Sequence, residues 1–332
     1  MSKARLILTG DVGGTKTHLA LFGAEGGSFR RLGDELFRTH DFERLEDVVR
    51  AFVGRHGEAR AMCFGVPGPV IEGVSHATNV PWKIDERALE AAFGVGRVRL
   101  VNDLEATAYG MLYLRGSGEL LELQHGVAAA KGANIAVIAA GTGLGEAALV
   151  PNDRGGYRAL ASEGGHSDFA PRGREQMELL EFLVGEFDHV SFERVLSGPG
   201  LVNIYRFLRH KMTDPEPEWL ARELEGADPA AAISGAALAR RDSRCVRALD
   251  LFVAIYGAEA ANLALKTLAL GGVYVGGGIA PKIAPALKAG GFMRAFCDKG
   301  RLSGVLGRIP CRVALDETAA LRGAAHIGAA LL

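Results

Sequence analysis

The feature that most constrains this chain is an apolar stretch near its start that a glycine turn interrupts. Leu6 to Phe22 reads as a strand, the turn Gly13-Gly14-Thr15 and a second strand, which predicts a β-hairpin. Because two residues of the turn have no Cβ, its backbone N–H groups can converge on a phosphate, and the threonine hydroxyl can donate as well. On this stretch alone, an ordinary glycine-rich hairpin is the alternative.

Asp11 ends the first of these two strands. Its carboxylate would repel a bare phosphate, but it fits a site where Mg²⁺ and its water ligands lie between the two groups. The sequence therefore predicts that Asp11 binds a metal ion through water.

A second hairpin of the same plan lies between Ala133 and Val150, with the turn Gly141-Thr142-Gly143. It does not match the G-x-G-x-x-G dinucleotide pattern, because position 146 is a glutamate, and no G-x-x-x-x-G-K-[ST] loop exists in the chain. Two such hairpins facing each other across a cleft would hold a polyphosphate from both sides. This paired pattern is more specific than either turn alone.

Composition excludes several classes of function. The 332 residues are 48% hydrophobic, and 38 basic against 39 acidic side chains leave a formal charge of −1, which gives no field for nucleic acid or anionic lipid. Four widely spaced cysteines form no C-x-x-C pair, which predicts neither a disulfide framework nor a zinc site. With no apolar run of membrane-spanning length and no room for a signal peptide before the first strand, we expect a cytoplasmic protein without a membrane partner.

Asn102 and Asp103 lie where the strand from Val98 to Val101 meets an alanine-rich helix. This is the carboxyl end of a strand, where open α/β sheets bind ligands. The alternative for Asp103 is purely structural, since an aspartate at this position can cap the helix.

Two further stretches indicate a polar ligand. In Glu163-Gly164-Gly165-His166 the glycines permit a tight bend, so that the acid and the imidazole can bind the hydroxyl groups of one small molecule. Glu193 is a second candidate acceptor, or a plain surface charge. Asn79 lies in a polar loop before Trp82, of a kind that lines binding sites or simply covers the surface.

The rest of the chain alternates between strands and helices. Helical spacing is predicted for four segments: Leu45–Val53, Asp85–Phe93, Cys245–Leu270 and Asp316–Leu332. Gly276-Gly277-Gly278 follows a short strand and precedes a helix start, a turn that brings backbone close to a flat or anionic ligand. The proline-containing segment Asp214–Pro229 is predicted to be a solvated connection.

Taken together, these motifs resemble those of bacterial glucokinases, a family of the actin-like ATPase and hexokinase superfamily. The motifs occur in the family's order: Gly10-Asp11-x-Gly13-Gly14-Thr15, Asn102-Asp103, Gly141-Thr142-Gly143-Leu144-Gly145, Glu163-Gly164-Gly165-His166, Leu196-Ser197-Gly198-Pro199-Gly200 and Gly276-Gly277-Gly278. The resemblance implies an α/β, two-domain actin-like ATPase (ribonuclease H-like) fold with an active-site cleft between the domains. A smaller domain would comprise residues 1–114 plus 317–332, and a larger one residues 115–316.

The resemblance also implies roles for single residues. It implies ATP-dependent phosphorylation of glucose, with Asp103 as the catalytic base and MgATP as the second substrate. The sugar ligands would be Asn102, Asp103, Glu163, His166, Glu193 and, less specifically, Asn79. The nucleotide would contact Asp11, Gly13, Gly14, Thr15, Lys16, Gly141, Thr142, Gly143, Gly276, Gly277 and Gly278. The resemblance also implies a homodimer.

Lys16 departs from the family pattern, because many of these glucokinases have asparagine there and lysine resembles the repressor/open-reading-frame/kinase family. That family carries a cysteine-rich zinc cluster after its sugar motif, and no such cluster follows His166 here. The residues leave open a kinase for another hexose or an N-acetylhexosamine, a non-catalytic sugar sensor on the same fold, and polyphosphate or ADP as the phosphoryl donor.

Overall fold

The computed structural model describes residues 5–25, 28–76, 80, 82–127, 132–153 and 155–332. The chain divides into two compact units: unit 1 is Met1–Arg115 with Glu317–Leu332, and unit 2 is Gly116–Asp316. Asn79, predicted as a sugar contact, lies outside the described residues.

Strands and helices alternate along most of the chain, and each unit contains a sheet. The strands are β1 (Arg5–Val12), β2 (Lys16–Glu25), β3 (Ser28–Arg38), β4 (Ala61–Val66), β5 (Val70–Ile71), β6 (Val74–His76), β7 (Lys83–Asp85), β8 (Val98–Asn102), β9 (Leu120–Gln124), β10 (Ile135–Ala140), β11 (Leu144–Pro151), β12 (Tyr157–Ser162), β13 (Gly272–Gly276) and β14 (Cys311–Ala314). The α-helices are α1 (Leu45–His56), α2 (Glu86–Phe93), α3 (Asp103–Met111), α4 (Gly173–Val184), α5 (Gly198–Lys211), α6 (Glu218–Leu224), α7 (Pro229–Leu238), α8 (Ser243–Lys266), α9 (Ala284–Lys288), α10 (Gly291–Cys297), α11 (Ser303–Leu306) and α12 (Ala319–Ala329). Single 3₁₀ turns occur at Thr39–Asp41, Gly164–His166, Phe192–Arg194 and Gly300–Leu302.

The main sheet of unit 1 has the strand order β3-β2-β1-β4-β8. Strand β1 pairs antiparallel with β2, as the hairpin reading predicts, and parallel with β4. The opposite faces of the sheet are covered by different helices: α1 and α2 pack on the face that carries Leu8 and Phe64, and α3 and α12 pack on the face that carries Cys63 and Val101. This two-sided burial explains why β1 and β4 read as nearly continuous apolar runs.

Unit 2 repeats this plan with the strand order β12-β11-β10-β13-β14-β9. Its central strand β10 pairs antiparallel with β11 and parallel with β13, as β1 does with β2 and β4. The similarity of the two predicted hairpins therefore extends to the sheets that contain them.

Helix α8 forms the centre of the unit 2 core. By length and composition, with a mean hydropathy of 1.4, it is apolar enough to cross a membrane, so the expectation that no run reaches that length is wrong. However, 78% of its most apolar window is buried inside the unit, where α5, α7 and α10 pack against it. A helix in the core of a globular unit can be equally long and apolar, and burial of this extent is typical of such a core helix.

Local predictions fail where the sequence signal is weak. The stretch before α2, which reads as irregular, contains β6 and β7 of a small three-stranded sheet. The predicted connection Asp214–Pro229 contains α6, whose Leu220 is completely buried. The helix predicted to start at the triple glycine begins only at Ala284, after a series of turns.

Helices α3 and α12 approach so closely that glycine is required at their contact. A Cβ on Gly323 would lie 1.8 Å from the carbonyl oxygen of Ala106, and one on Gly110 would lie 1.9 Å from that of Ala319. Small residues therefore fasten the end of the chain to unit 1.

We expect Gly323→Ala to lower the free energy of unfolding by ~1–3 kcal/mol or more, because backbone must move to admit the methyl group. Gly54→Ala is the matched control, since Gly54 lies inside α1 and a Cβ there would meet no atom within 4 Å apart from its chain neighbours and the backbone of its own helix. The control should raise stability by ~0.5–1 kcal/mol through helix propensity. Urea denaturation of both variants measures the difference, and equal stabilities would contradict this account of the contact.

Candidate functional site

The turn of the first hairpin is held from one side by a buried threonine. The Thr39 hydroxyl donates to the Gly13 carbonyl oxygen at 2.7 Å, and the Thr39 N–H donates to the Thr15 carbonyl oxygen at 3.0 Å. Thr17, also fully buried, lies 3.0 Å from Thr39 through their hydroxyl groups. Within the described chain no residue accepts a hydrogen bond from the N–H of Gly14 or Thr15. The turn therefore has the donors that a phosphate needs.

Asp11 and Asp103 approach each other at the ends of neighbouring elements. Asp11 is opposite Gly65 in the pairing of β1 with β4, and a Cβ on Gly65 would lie 3.3 Å from the Cα of Asp103. The missing side chain lets the first turn of α3 rest on β4. Burial, and then the charge of Asp103, raise the pKa of Asp11 to about 7.

The neighbouring carboxyl groups of Asp11 and Asp103 have the chemistry that a divalent cation requires. Mg²⁺ takes oxygen ligands and usually keeps several waters, and its charge would offset the repulsion that raises the pKa of Asp11. The chemistry of these two residues thus fits the metal that the resemblance implies.

Helix capping falls to Asn102 rather than to Asp103. The Asn102 Oδ1 accepts from the N–H groups of Leu104 at 3.0 Å and Glu105 at 3.4 Å. Its Nδ2 donates to the Gly68 carbonyl oxygen at 3.1 Å. Asp103 is the first helical residue, and its Oδ1 accepts from the N–H of Leu104 at 2.7 Å. Asn102 therefore already orders both the helix and the turn that follows β4.

The turn of the second hairpin, Gly141 to Gly143, is supported by residues later in the chain. The N–H of Gly198, at the start of α5, donates to the Gly141 carbonyl oxygen at 2.9 Å. The N–H groups of Thr142 and Gly143 have no acceptor in the part of the chain that the structure describes. As in the first hairpin, the neighbours bind a carbonyl group and leave amide donors at the turn.

The triple glycine lies against this second turn. Gly277 has a φ of +80°, and a Cβ there would lie 2.3 Å from the Ala140 carbonyl oxygen. The buried Tyr256 of α8 joins the two segments: its hydroxyl accepts from the Ala140 N–H at 3.1 Å and donates toward the Gly276 carbonyl oxygen at 3.3 Å. The structure thus brings together the predicted nucleotide contacts of unit 2.

The predicted sugar motif forms a 3₁₀ turn with exposed Glu163 and His166. Gly164 and Gly165 have negative φ, so they are needed for close contact rather than for an unusual backbone conformation. A Cβ on Gly165 would lie 2.0 Å from the Leu144 carbonyl oxygen. The motif therefore packs directly on β11.

Glu193 lies beside this turn. The Phe192 N–H donates to the Ser167 carbonyl oxygen at 2.9 Å, which joins the two 3₁₀ turns. Glu193 Oε2 accepts from the Leu144 N–H at 2.9 Å, and a Cβ on Gly143 would lie only 2.5 Å from it. Glu193 thus contacts the second hairpin as well as neighbouring the sugar motif.

Sequence reasoning did not identify the supporting residues. Ser197 caps α5 and donates to the Glu193 carbonyl oxygen at 2.7 Å, a role that Ser-Gly-Pro-Gly before a helix could have indicated. Tyr256 could have been noticed as a hydroxyl within an apolar helix, since a buried tyrosine usually needs a hydrogen-bond partner. Thr39 has no comparable local signal.

The chain is similar to known glucokinases over nearly its whole length. The Glucokinase family model matches residues 8–331. The glucokinase of Synechocystis sp. (strain ATCC 27184 / PCC 6803 / Kazusa) is 40% identical, with 96% of each chain covered. The crystal structure of a glucokinase from an Antarctic psychrotroph superposes with a TM-score of 0.83 at 31% identity, covering 98% of this chain and 99% of that one.

A more distant structure shares the fold. The glucokinase of the ROK family from Streptomyces griseus, solved in complex with glucose and AMPPNP, has a TM-score of 0.68 at 24% identity and covers 98% of this chain and 99% of that one. The predicted two-domain actin-like ATPase fold is confirmed. The chain belongs to the Glucokinase family.

Proposed function

We propose that this protein transfers the γ-phosphoryl group of MgATP to the 6-hydroxyl group of glucose. The observation that carries the proposal is the placement of Asp103 at the start of α3, beside Asp11 and the hairpin turn whose N–H groups lack acceptors within the described chain. The relatives named glucokinase support the same reaction. We also propose that units 1 and 2 correspond to the family's two domains, with the boundaries given above.

Asp103 is proposed as the general base. It accepts the proton of the 6-hydroxyl group as that oxygen attacks the γ-phosphorus, and ADP leaves with the electrons of the broken P–O bond. Phosphoryl transfer needs little covalent chemistry from the protein, so most of the rate comes from positioning and charge stabilisation. Mg²⁺, when bound near Asp11, would neutralise charge on the phosphates.

Amide donors are proposed to bind the phosphates. The candidates are the turns of both hairpins and the triple glycine, with Lys16 adding an exposed positive charge at the start of β2. Backbone N–H groups in such turns bind anions well because no side chain obstructs them.

The sugar hydroxyl groups are proposed to bind Glu163, His166, Glu193 and Asn102. Asn102 would use the remaining hydrogen of its amide, because its oxygen caps α3. A site of this kind selects by hydrogen bonding, since a sugar lacking one hydroxyl leaves a protein group unpaired.

The test of the function is ADP release from MgATP with glucose, fructose, mannose, N-acetylglucosamine or no sugar. We expect turnover with glucose. Turnover with another sugar alone would reassign the substrate, and tight glucose binding without turnover would indicate a sensor or a different phosphoryl donor. Homodimerisation and the cytoplasmic location stay predictions.

For Asp103→Asn we expect kcat to fall by roughly 10²–10⁴-fold, the usual loss for a general base, with the fold retained. Asp41→Asn, an exposed aspartate in the same unit, is the control and should leave kcat unchanged. Steady-state kinetics and circular dichroism measure both. Near-normal turnover of the Asp103 variant would remove this residue from the role of base.

For Glu163→Gln we expect KM for glucose to rise by roughly 5- to 150-fold, because a charged acceptor for a sugar hydroxyl is lost. KM for ATP should stay within about twofold. Glu181→Gln, on an exposed position of α4 in the same unit, serves as the control. An unchanged glucose KM would place Glu163 outside the sugar site.

For Glu193→Ala we expect KM to rise for both glucose and ATP, because this side chain also fixes the Leu144 N–H at the second hairpin. Glu193→Gln keeps an oxygen that can accept that bond, so it should restore most of the affinity for ATP. Initial-rate kinetics with each substrate varied in turn separate the two effects. A change confined to glucose would rule out the hairpin role.

A further inference from the structure

Two buried acids lie behind the sugar motif and have no part in the chemistry described above. Glu146 of β11 is 1% exposed and Glu259 of α8 is fully buried. Their carboxyl groups are close enough that each one shifts the pKa of the other. Two ionised carboxylates in such a place would repel strongly, so one proton between them is the stable arrangement.

The surroundings of the pair show which acid is ionised. The Asn262 Nδ2 donates to Glu259 Oε2 at 2.6 Å, and the Lys266 ammonium lies 3.4 Å from Glu259 Oε1. The Lys299 ammonium donates to Asn262 Oδ1 at 2.5 Å, and so it is linked to the Glu259 carboxylate through Asn262. Glu146 has no such donors, and its Oε1 has no hydrogen-bond partner among the described residues. Burial raises the pKa of Glu259 as well, but Asn262 and Lys266 oppose that shift. The negative charge of the pair is therefore assigned to Glu259 and the proton to Glu146.

Glu146 also touches the sugar motif. A Cβ on Gly164 would lie 2.2 Å from Glu146 Oε2 and 2.9 Å from the Ser162 hydroxyl oxygen. The Ser162 hydroxyl in turn accepts from the Gly164 N–H at 2.8 Å. The backbone between Glu163 and His166 thus rests on this carboxyl group.

We propose that Glu146 and Glu259 share one proton and that this pair, acting as positioning residues, holds the Glu163–His166 turn in the form that binds glucose. The proposal rests on the proposed role of Glu163 and His166 as sugar ligands. Loss of the shared proton places a second negative charge beneath Gly164, and the resulting repulsion displaces the turn.

The electrostatics support this arrangement. Burial, and then the charge of Glu259, raise the pKa of Glu146 to about 8, while Lys266 opposes the shift. Among the residues that the structure describes, the other titratable groups facing the pair are Tyr256 of α8 and, through Asn262, Lys299. Since the pKa of Glu146 is raised on folding, the stability it contributes is complete below pH ~4.5 and is lost as the pH rises through about 8.

The experiment measures the dissociation constant of glucose without nucleotide between pH 7 and 9.5, by calorimetry, for the wild-type protein, Glu146→Gln and Glu259→Gln. We expect the wild-type constant to rise by about three- to tenfold over this range. Either glutamine substitution leaves at most one charge in the pair, so the rise should disappear in both variants. Glu181→Gln should retain the wild-type profile.

Thermal unfolding across pH 5–9 is the second readout. The fall in the wild-type melting temperature toward pH 9 should be smaller in Glu146→Gln. A flat wild-type glucose profile, or a wild-type slope retained in both glutamine variants, would overturn the proposal. If Glu146→Gln does not fold, the glucose-binding profiles of Glu259→Gln and of the wild-type protein are enough to test the proposal.

The two proposals fail in different ways. If Glu163→Gln leaves glucose binding unchanged, the sugar role of the turn is wrong, whatever the pH profile. If Glu163→Gln weakens binding but Glu146→Gln keeps the wild-type pH dependence, only the shared proton is wrong.

Discussion

Both hairpin turns depend on other segments of the chain to bind their carbonyl groups. A turn that must bind an anion needs free N–H groups, yet its carbonyl oxygens would repel the same anion. Thr39 binds the carbonyl groups of Gly13 and Thr15, and the N–H of Gly198 binds that of Gly141. These hydrogen bonds fix which side of each turn faces its ligand, so the proposed phosphate contacts in both units depend on them.

In unit 2 the same network reaches the sugar motif. Glu193 accepts from the backbone of the second hairpin and is itself fixed by Ser197, and the 3₁₀ turn that carries it is hydrogen-bonded to the turn carrying His166. A rigid shared support of this kind keeps the proposed sugar contacts and the proposed phosphate contacts at a constant distance within the unit. Such fixed geometry is what phosphoryl transfer requires, because its rate depends mainly on positioning.

The sequence indicates the parts of the site whose signals are local. Apolar strands broken by glycine turns predict both hairpins, and the strand-to-helix junction predicts the place of Asn102 and Asp103. Other roles could not be read from the sequence. The sequence indicates a possible helix cap at Asp103, whereas Asn102 caps α3 in the structure. Nothing near Thr39 in the sequence shows that it contacts the first turn. Short elements such as α6 and β6 could not be predicted, because tertiary packing rather than hydrophobic periodicity determines whether they form.

Each unit contains a pair of acids near the hairpin, Asp11 with Asp103 and Glu146 with Glu259. Folding alone disfavours such pairs, since burial and mutual repulsion both penalise the charged forms. The neighbours of Glu146 on its face of β11, Leu144 and Ala148, are apolar, so an apolar side chain would suit that core position better. Natural chains keep such costly groups where function requires them. These destabilising pairs lie at Asp103 in unit 1 and beneath Gly164 in unit 2. Those are the places where the reaction and sugar binding are proposed.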